Sequence, residues 1–301
     1  MRDYVIVLVN GAGAPPLTAG RVHDLSYGLV PDIVRGKITW LNAGVAAELS
    51  LRVEDPVSAE GIYDAVATEL AGSPVDSALL LAEGRRKRLL VADMESTMIA
   101  EECLDELAAA AGIRPQVAAI TERAMRGEID FEAALRQRVG LLKGLPVAEL
   151  EGLRDRLTVL PGAATVVATM RKHGAFTALV SGGFTFFSEP VAARLGFDAQ
   201  YANSVGIANG KLDGTVGEPL LGRAAKAQRL GALAHGHGLE ASQILAVGDG
   251  ANDVAMVAAA GLGVAYRGKP LLASAAGAVI RHADLTALLY LQGYRSDEFV
   301  V

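Results

Sequence analysis

Five short apolar runs constrain this chain more than any other feature. RLLVAD (88–93), AFTALV (175–180), ILAVGD (244–249), LGVAY (262–266) and AVI (278–280) are separated by stretches with helical periodicity. Such runs have no polar face to turn toward water, so both of their sides must be covered. Apolar strands alternating with helices predict an α/β fold, a doubly wound parallel sheet with helices on both faces. Asp93 and Asp249 close two of the runs and Ser181 follows a third. Ligands of open α/β sheets bind beyond the carboxyl ends of the strands. Three polar side chains at three such ends therefore predict a site.

Between Asp93 and Ser181 there is little strand character. ECLDELAAAAG (102–112), QVAAITERAMRG (116–127), FEAALRQRVGLLKG (131–144) and VAELEGLRDRL (147–157) carry helical spacing, with Gly112, Gly127 and Gly144 at the predicted stops. Four helices inserted between two sheet strands predict a helical cap, at about 98–157. A second insertion, YANSVGIANGKLDGTVGEP (201–219), reads as a hairpin turning at ANGK.

The first 83 residues follow another pattern. Strand-like YVIVLV (4–9), ITWL (38–41), AAELSLRV (46–53) and SALLLA (77–82) alternate with helical spacing near 17–27 and over 58–72. The order β-α-β-β-α-β is that of a small α+β ferredoxin-like sandwich, here an ACT-like regulatory or dimerising module. The expected domains are 1–83 and 84–301. NGAGAPP (10–16) has glycines after a strand but two prolines and no third glycine, so it reads as a turn and not a dinucleotide loop.

Composition removes several function classes. Lys+Arg 28 against Asp+Glu 34 leaves a net charge of −6, and the one basic cluster, GRRKR (84–88), reads as a solvated linker. Nucleic acid is not an expected partner. No run approaches the ~20 apolar residues of a membrane helix, and the N-terminus lacks the pattern of a signal peptide. A soluble, cytoplasmic protein is expected. The single Cys103 allows no internal disulfide, and the five histidines form no spaced ligand pair.

Asp93 alone would read as the cap of the helix that follows it. VADMESTMIAEECLDELA (91–108) places Glu95 two residues on, and GDGAND (248–253) adds Asp249 and Asp253 with Asn252 between them. Carboxylates and carbonyls of this kind suit Mg²⁺, which keeps several waters and takes a substrate phosphate. A carboxylate held against a metal-bound phosphate can attack phosphorus, and a neighbouring acid can serve the leaving oxygen and then water.

From about 88 to 290 the chain resembles the phosphoserine phosphatases of the haloacid-dehalogenase superfamily. The segments that carry the resemblance are DMESTMIAEECLDELA, MRGEIDFEAALRQRVGLLKGL, LVSGGFTFF, ANGKLDG and AVGDGANDVAM. The resemblance implies Mg²⁺-dependent hydrolysis of phosphoserine, the last step of serine biosynthesis, through a phosphoryl-aspartate on Asp93. Glu95 would supply acid/base chemistry by its side chain and a metal contact by its carbonyl. Asp93, Asp249 and Asp253 would complete the metal set. Ser181, Gly182, Gly183, Lys226 and Asn252 would surround the phosphate. Glu102 would take the substrate ammonium and Arg138 its carboxylate, with Met125 and Phe131 as an apolar lid. The ACT-like module is a candidate homodimer surface.

Several of these residues have plainer readings. Glu102 suits a helix first turn through the macrodipole, Arg138 suits a solvated helix face, and Lys226 lies in an ordinary amphipathic pattern. Met125 and Phe131 suit a core. Glu95 departs from the family, which has Asp there. The longer arm, by roughly 1.5 Å, predicts either a pocket set back to suit it or a weakened reaction. Two further functions stay open at this point: phosphoryl transfer to an alcohol such as homoserine, and an amino-acid sensor without turnover.

Overall fold

Strand β1 (Arg2–Asn10) is apolar on both faces, and each face enters a different core. Tyr4, Ile6 and Leu8 pack with Val22 and Leu25 of α1 (Ala19–Gly28) and with Ile62 and Val66 of α2 (Pro56–Glu69). Val5, Val7 and Val9 belong to a second core that includes Leu288 and Tyr290, far along the chain. β2 (Val34–Asn42), β3 (Ala46–Val53) and β4 (Val75–Leu81) complete an antiparallel sheet of order β2-β3-β1-β4. This is the βαββαβ order the sequence predicts. The computed structural model describes residues 2–28, 34–53, 56–126 and 128–301, with side chains at all of these except 26–28, 34–36, 56–58 and 125. The predicted stop at Gly127 lies outside the described residues.

The rest of the chain builds the parallel sheet. β5 (Leu89–Ala92) is followed by four helices, α3 (Cys103–Ala110), α4 (Arg114–Met125), α5 (Phe131–Leu141) and α6 (Val147–Asp155). Next come α7 (Ala163–Lys172), β6 (Phe176–Phe184), α8 (Thr185–Leu195) and β7 (Ala199–Asn203). A hairpin of β8 (Val205–Ala208) and β9 (Lys211–Val216) turns at Asn209 and Gly210, both at positive φ (51° and 71°). Such a turn matches the twist of the strands it joins. The chain then forms α9 (Arg223–Gly236), β10 (Ile244–Gly248), α10 (Val254–Ala259), β11 (Leu262–Tyr266), α11 (Pro270–Ala275), β12 (Ala278–Ile280) and α12 (Ala287–Leu291). The sheet order is β12-β11-β10-β5-β6-β7.

Alternation along the central strands covers both faces. Leu89 and Val91 of β5 pack with Leu230 and Leu233 of α9 and Val257 of α10. Leu90 and Ala92 turn to the other side, with Val166 and Met170 of α7. Parallel pairing sets Leu90 opposite Leu245 and Thr177. The ends of β5, β6 and β10 consequently lie side by side.

Two expectations change. The edge strand β7 is absent from the sequence reading, which assigned Tyr201 onward to the hairpin. An edge strand is hydrogen-bonded on one side, and Ala199, Gln200, Tyr201 and Ala202 are only half-buried, so no apolar run marks it. The GRRKR segment is not simply solvated. Arg85 pairs with Glu48 at 2.8 Å, Arg86 with Glu298 at 2.6 Å, and Lys87 donates to the carbonyls of Gly84 and Ser242. The two sheets are fastened together here and at Asp76. That buried carboxylate accepts the backbone N–H groups of Arg281, His282 and Ala283 at 2.8–3.0 Å. Among the described residues no helix is long and apolar enough to cross a membrane.

Candidate active site

Asp93 follows β5 directly, and its backbone N–H continues the ladder to Val247 O at 3.0 Å. The residue is 4% exposed. Its Oδ1 accepts from Met94 N–H at 2.8 Å and meets Lys226 Nζ at 2.7 Å. The same ammonium lies 2.7 Å from Asp253 Oδ1, and Asp253 Oδ2 accepts from Gly250 N–H at 3.1 Å. Lys226 is 1% exposed and Asp253 fully buried. Burial works against the ammonium, but Asp93 and Asp253 outweigh it and hold the group above the ordinary lysine range. Asp93 is displaced well upward, first by burial and then by Asp253.

Carboxylate oxygens of Asp93, Asp249 and Asp253 lie within 4.8 Å of one another. Burial, and then the charge of Asp253, push Asp249 up to about 6. Three hard oxygen donors crowded by like charge, with one lysine among them, form a set that a divalent cation would relieve. The residues fit a metal of that class. The Glu95 carboxylate is not part of this cluster. Its Oε1 accepts from Cys103 N–H at 2.8 Å, at the start of α3. Its Oε2 faces the last residues of β6, where a Cβ built on Gly183 would lie 3.0 Å from it. Burial of the carboxyl and the neighbouring Glu102 push Glu95 up to about 7.

The phosphate-loop candidates meet Glu95 from the opposite side. Gly183 N–H donates to Ser181 Oγ at 2.9 Å, and Ser181 is fully buried. Asn252 is half-buried beside Gly250, where any Cβ would strike its Oδ1 at 2.3 Å. Gly248 is needed for a similar reason, since a Cβ there would lie 2.4 Å from the Asp253 carboxyl.

The cap supplies a different set. Glu102 is exposed at the N-cap of α3, its Oε1 accepting from Ser96 Oγ at 2.8 Å. Arg138 on α5 is half-buried and donates to Ala134 O at 3.4 Å. Among the described residues it forms no ion pair. Its surroundings lower its proton affinity through burial, against the pull of Asp105, Glu95 and Glu102. Phe131 opens α5 behind its capping residue Asp130 and reaches Gly182 and Gly222. The side chain of Met125 lies outside the described residues.

Sequence reasoning missed four contributors. Ser96 sits at φ 54°, where a non-glycine residue is uncommon, and orients Glu102. Thr97 is fully buried and approaches Asp249 Oδ1 at 3.5 Å. Lys269 N–H donates to Asp249 O at 2.9 Å. Asn203 joins the Gly182 and Leu221 backbones. Only Ser96 and Thr97 carried a signal, their place directly after the two acids.

A family model described as haloacid dehalogenase-like hydrolase matches residues 90–258. A phosphoserine phosphatase of Mycobacterium tuberculosis is 38% identical over 291 residues, 94% of this chain and 70% of that protein. The chain spans 65% and 60% of the lengths of two other curated phosphoserine phosphatases, so these relatives are longer than the region matched. Among solved structures, a probable phosphoserine phosphatase from Vibrio cholerae, in unliganded form, superposes with a TM-score of 0.79 at 32% identity, covering 99% of this chain and 88% of that one. A phosphoserine phosphatase described as a phospho-aspartyl intermediate analogue gives 0.64 at 38% identity, covering 68% and 98%.

Proposed function

The chain belongs to the haloacid dehalogenase-like hydrolase family, and we propose from this that it is a phosphatase that hydrolyses O-phospho-L-serine to L-serine and phosphate. The observation that carries the reading is that Asp93, Ser181 and Asp249 stand on or directly after the paired strands β5, β6 and β10, with Lys226 on Asp93 at 2.7 Å. Asp93 Oδ1 is held by two donors, which fixes the carboxylate for attack on phosphorus. The new P–O bond to Asp93 forms as the ester P–O bond breaks. Glu95, with Oε2 toward the phosphate loop, donates the proton that the departing serine oxygen takes up. It then accepts a proton from the water that releases phosphate and frees Asp93.

Asp93, Asp249, Asp253 and the Glu95 carbonyl are the proposed holders of Mg²⁺, which when bound would offset the charge of the phosphoryl oxygens. Ser181, Gly182, Gly183, Lys226 and Asn252 hold the phosphate. Glu102 receives the substrate ammonium, and Arg138, which forms no ion pair among the described residues, receives its carboxylate in a two-pronged contact. Met125 and Phe131 close over the apolar part. Division into domains 1–83 and 84–301 belongs to the same proposal, as does a role in serine biosynthesis in the cytoplasm. A homodimer through the N-terminal module would use its edges or helices, since Val5, Val7 and Val9 are already covered.

Phosphate release from phosphoserine, with and without Mg²⁺ and homoserine, tests the reading. Metal-dependent release that homoserine leaves unchanged is expected. Release that homoserine suppresses, with phosphohomoserine formed instead, would make the protein a phosphotransferase. No release would leave an amino-acid sensor.

A further inference from the structure

Gly222 opens α9 with φ −103° and ψ −165°, a conformation open to any residue. Gly182, in β6, is not in the positive-φ region either. Backbone freedom therefore explains neither glycine. Both face the Phe131 ring from the cap. A Cβ on Gly222 would lie 3.0 Å from the ring Cδ1 and 3.3 Å from Cε1, and one on Gly182 would lie 3.4 Å from Cζ. The ring rests on two stretches of bare backbone.

Asn203, 2% exposed at the end of β7, ties those stretches together. Its Nδ2 donates to Gly182 O at 2.8 Å and to Leu221 O at 3.2 Å, and its Oδ1 accepts from Leu221 N–H at 2.6 Å. One turn along α9, Lys226 N–H donates to Gly222 O at 3.2 Å. The helix that receives the ring thus also carries the ammonium between Asp93 and Asp253.

We propose that Gly182 and Gly222 form a seat that sets how deeply Phe131 closes over the organic part of the phosphoester, with Gly222 as a specificity-determining position and Asn203 as a positioning residue. The proposal rests on the reading of Phe131 as a lid. A deep seat brings the ring down on an amino-acid-sized group. A methyl at position 222 lifts the ring by a few tenths of an ångström and loosens the fit, while the carboxylates below are untouched.

The test is a double-mutant cycle of Gly222→Ala and Phe131→Ala in the full chain, read as the ratio of kcat/KM for phosphoserine to kcat/KM for an aryl phosphate. Gly222→Ala should lower this ratio about tenfold, mainly through KM for phosphoserine, a size typical of a methyl-scale change in a pocket. In the Phe131→Ala background the same change should move it less than about twofold, since the partner is gone. Equal effects in both backgrounds would overturn the seat. Asn203→Asp keeps the acceptor for Leu221 N–H but loses both donors. It should shift the same ratio and be non-additive with Phe131→Ala, whereas a purely structural role would lower both substrates alike. Amide exchange at residues 131–134 gives a readout that needs no turnover. Gly222→Ala should speed it only when Phe131 is present, and unchanged exchange would count against the seat. A parent enzyme inactive on phosphoserine would remove the proposed function, and the exchange cycle would still decide the seat.

Discussion

The floor of the site and its roof carry similar charges in opposite circumstances. Below, Asp93, Asp253 and Lys226 are almost fully buried and bonded to one another at 2.7 Å. Above, Glu102 is exposed and Arg138 is half-buried with no ion pair among the described residues. A buried charge without a partner is expensive, so the floor is satisfied within the protein. The roof leaves an anion and a cation unpaired with each other, as the proposed recognition of a zwitterionic substrate requires. Of the groups proposed to act on phosphorus, Asp93 and Asp249 directly follow β5 and β10 and Lys226 stands on α9, while groups proposed to recognise the rest of the substrate stand on the cap.

The hardest blow to that comparison would come from Asp93→Asn. Phosphate release should fall by more than about 10³-fold on phosphoserine and on an aryl phosphate alike, because the nucleophile serves both. Appreciable residual turnover would take the covalent chemistry away from the floor.

Next in size is Glu95→Gln, expected to lose ~10²- to 10⁴-fold on phosphoserine, the usual contribution of a positioned proton donor. The loss should shrink for aryl phosphates, whose leaving groups need little protonation. Glu95→Asp should also be slower than the parent, since a shorter arm loses its 2.8 Å contact with Cys103 N–H. Steady-state kinetics showing a faster Asp variant would mean that the pocket is not built around glutamate.

Arg138→Met and Lys226→Met sharpen the contrast between roof and floor. Truncating one partner of a desolvated charge pair costs ~2–5 kcal/mol, so Arg138→Met should lose roughly 30-fold to 5 × 10³-fold in kcat/KM for phosphoserine and little for an aryl phosphate. Its Tm should equal or exceed the parent's, because burial already disfavours that guanidinium. Lys226→Met should instead destabilise the fold by about 3–5 kcal/mol in urea unfolding, leaving Asp93 and Asp253 facing each other. A fall in Tm for Arg138→Met matching that for Lys226→Met would erase the distinction.

The smallest effect is expected from Ser96→Ala, which removes the hydrogen bond to Glu102. A bond to a charged group is worth about 1.5–3 kcal/mol, less where exposed, so KM for phosphoserine should rise about three- to tenfold with the aryl phosphate unaffected. A matching loss on both substrates would place Ser96 with the floor.

Apolar runs made the strands of both sheets legible. Leu89 and Val91 against Leu90 and Ala92, and Ile6 against Val7, sort to opposite faces because successive side chains of a strand must. β7 was hidden because an edge strand needs no continuous apolar run. The tethering of Arg85, Arg86 and Lys87 was hidden because their partners, Glu48, Glu298 and Ser242, are remote in sequence. Lys226 lies in an ordinary amphipathic pattern and only the family resemblance implies a role for it, since nothing in its neighbourhood announces two carboxylates at 2.7 Å.

What the sequence determined by itself is the order of elements and which residues stand at the strand ends, since local periodicity and strand termini are properties of short segments. The departure at Glu95 was visible there too. Tertiary structure alone decided that the Glu95 carboxylate turns away from the acidic cluster to Cys103 N–H and Gly183. It decided as well that Phe131 rests on Gly182 and Gly222, and that Asp76 clasps the loop after β12. Each of those contacts joins segments 8 to 207 residues apart. Pairings of that kind are fixed by sheet register and packing, which no local pattern encodes.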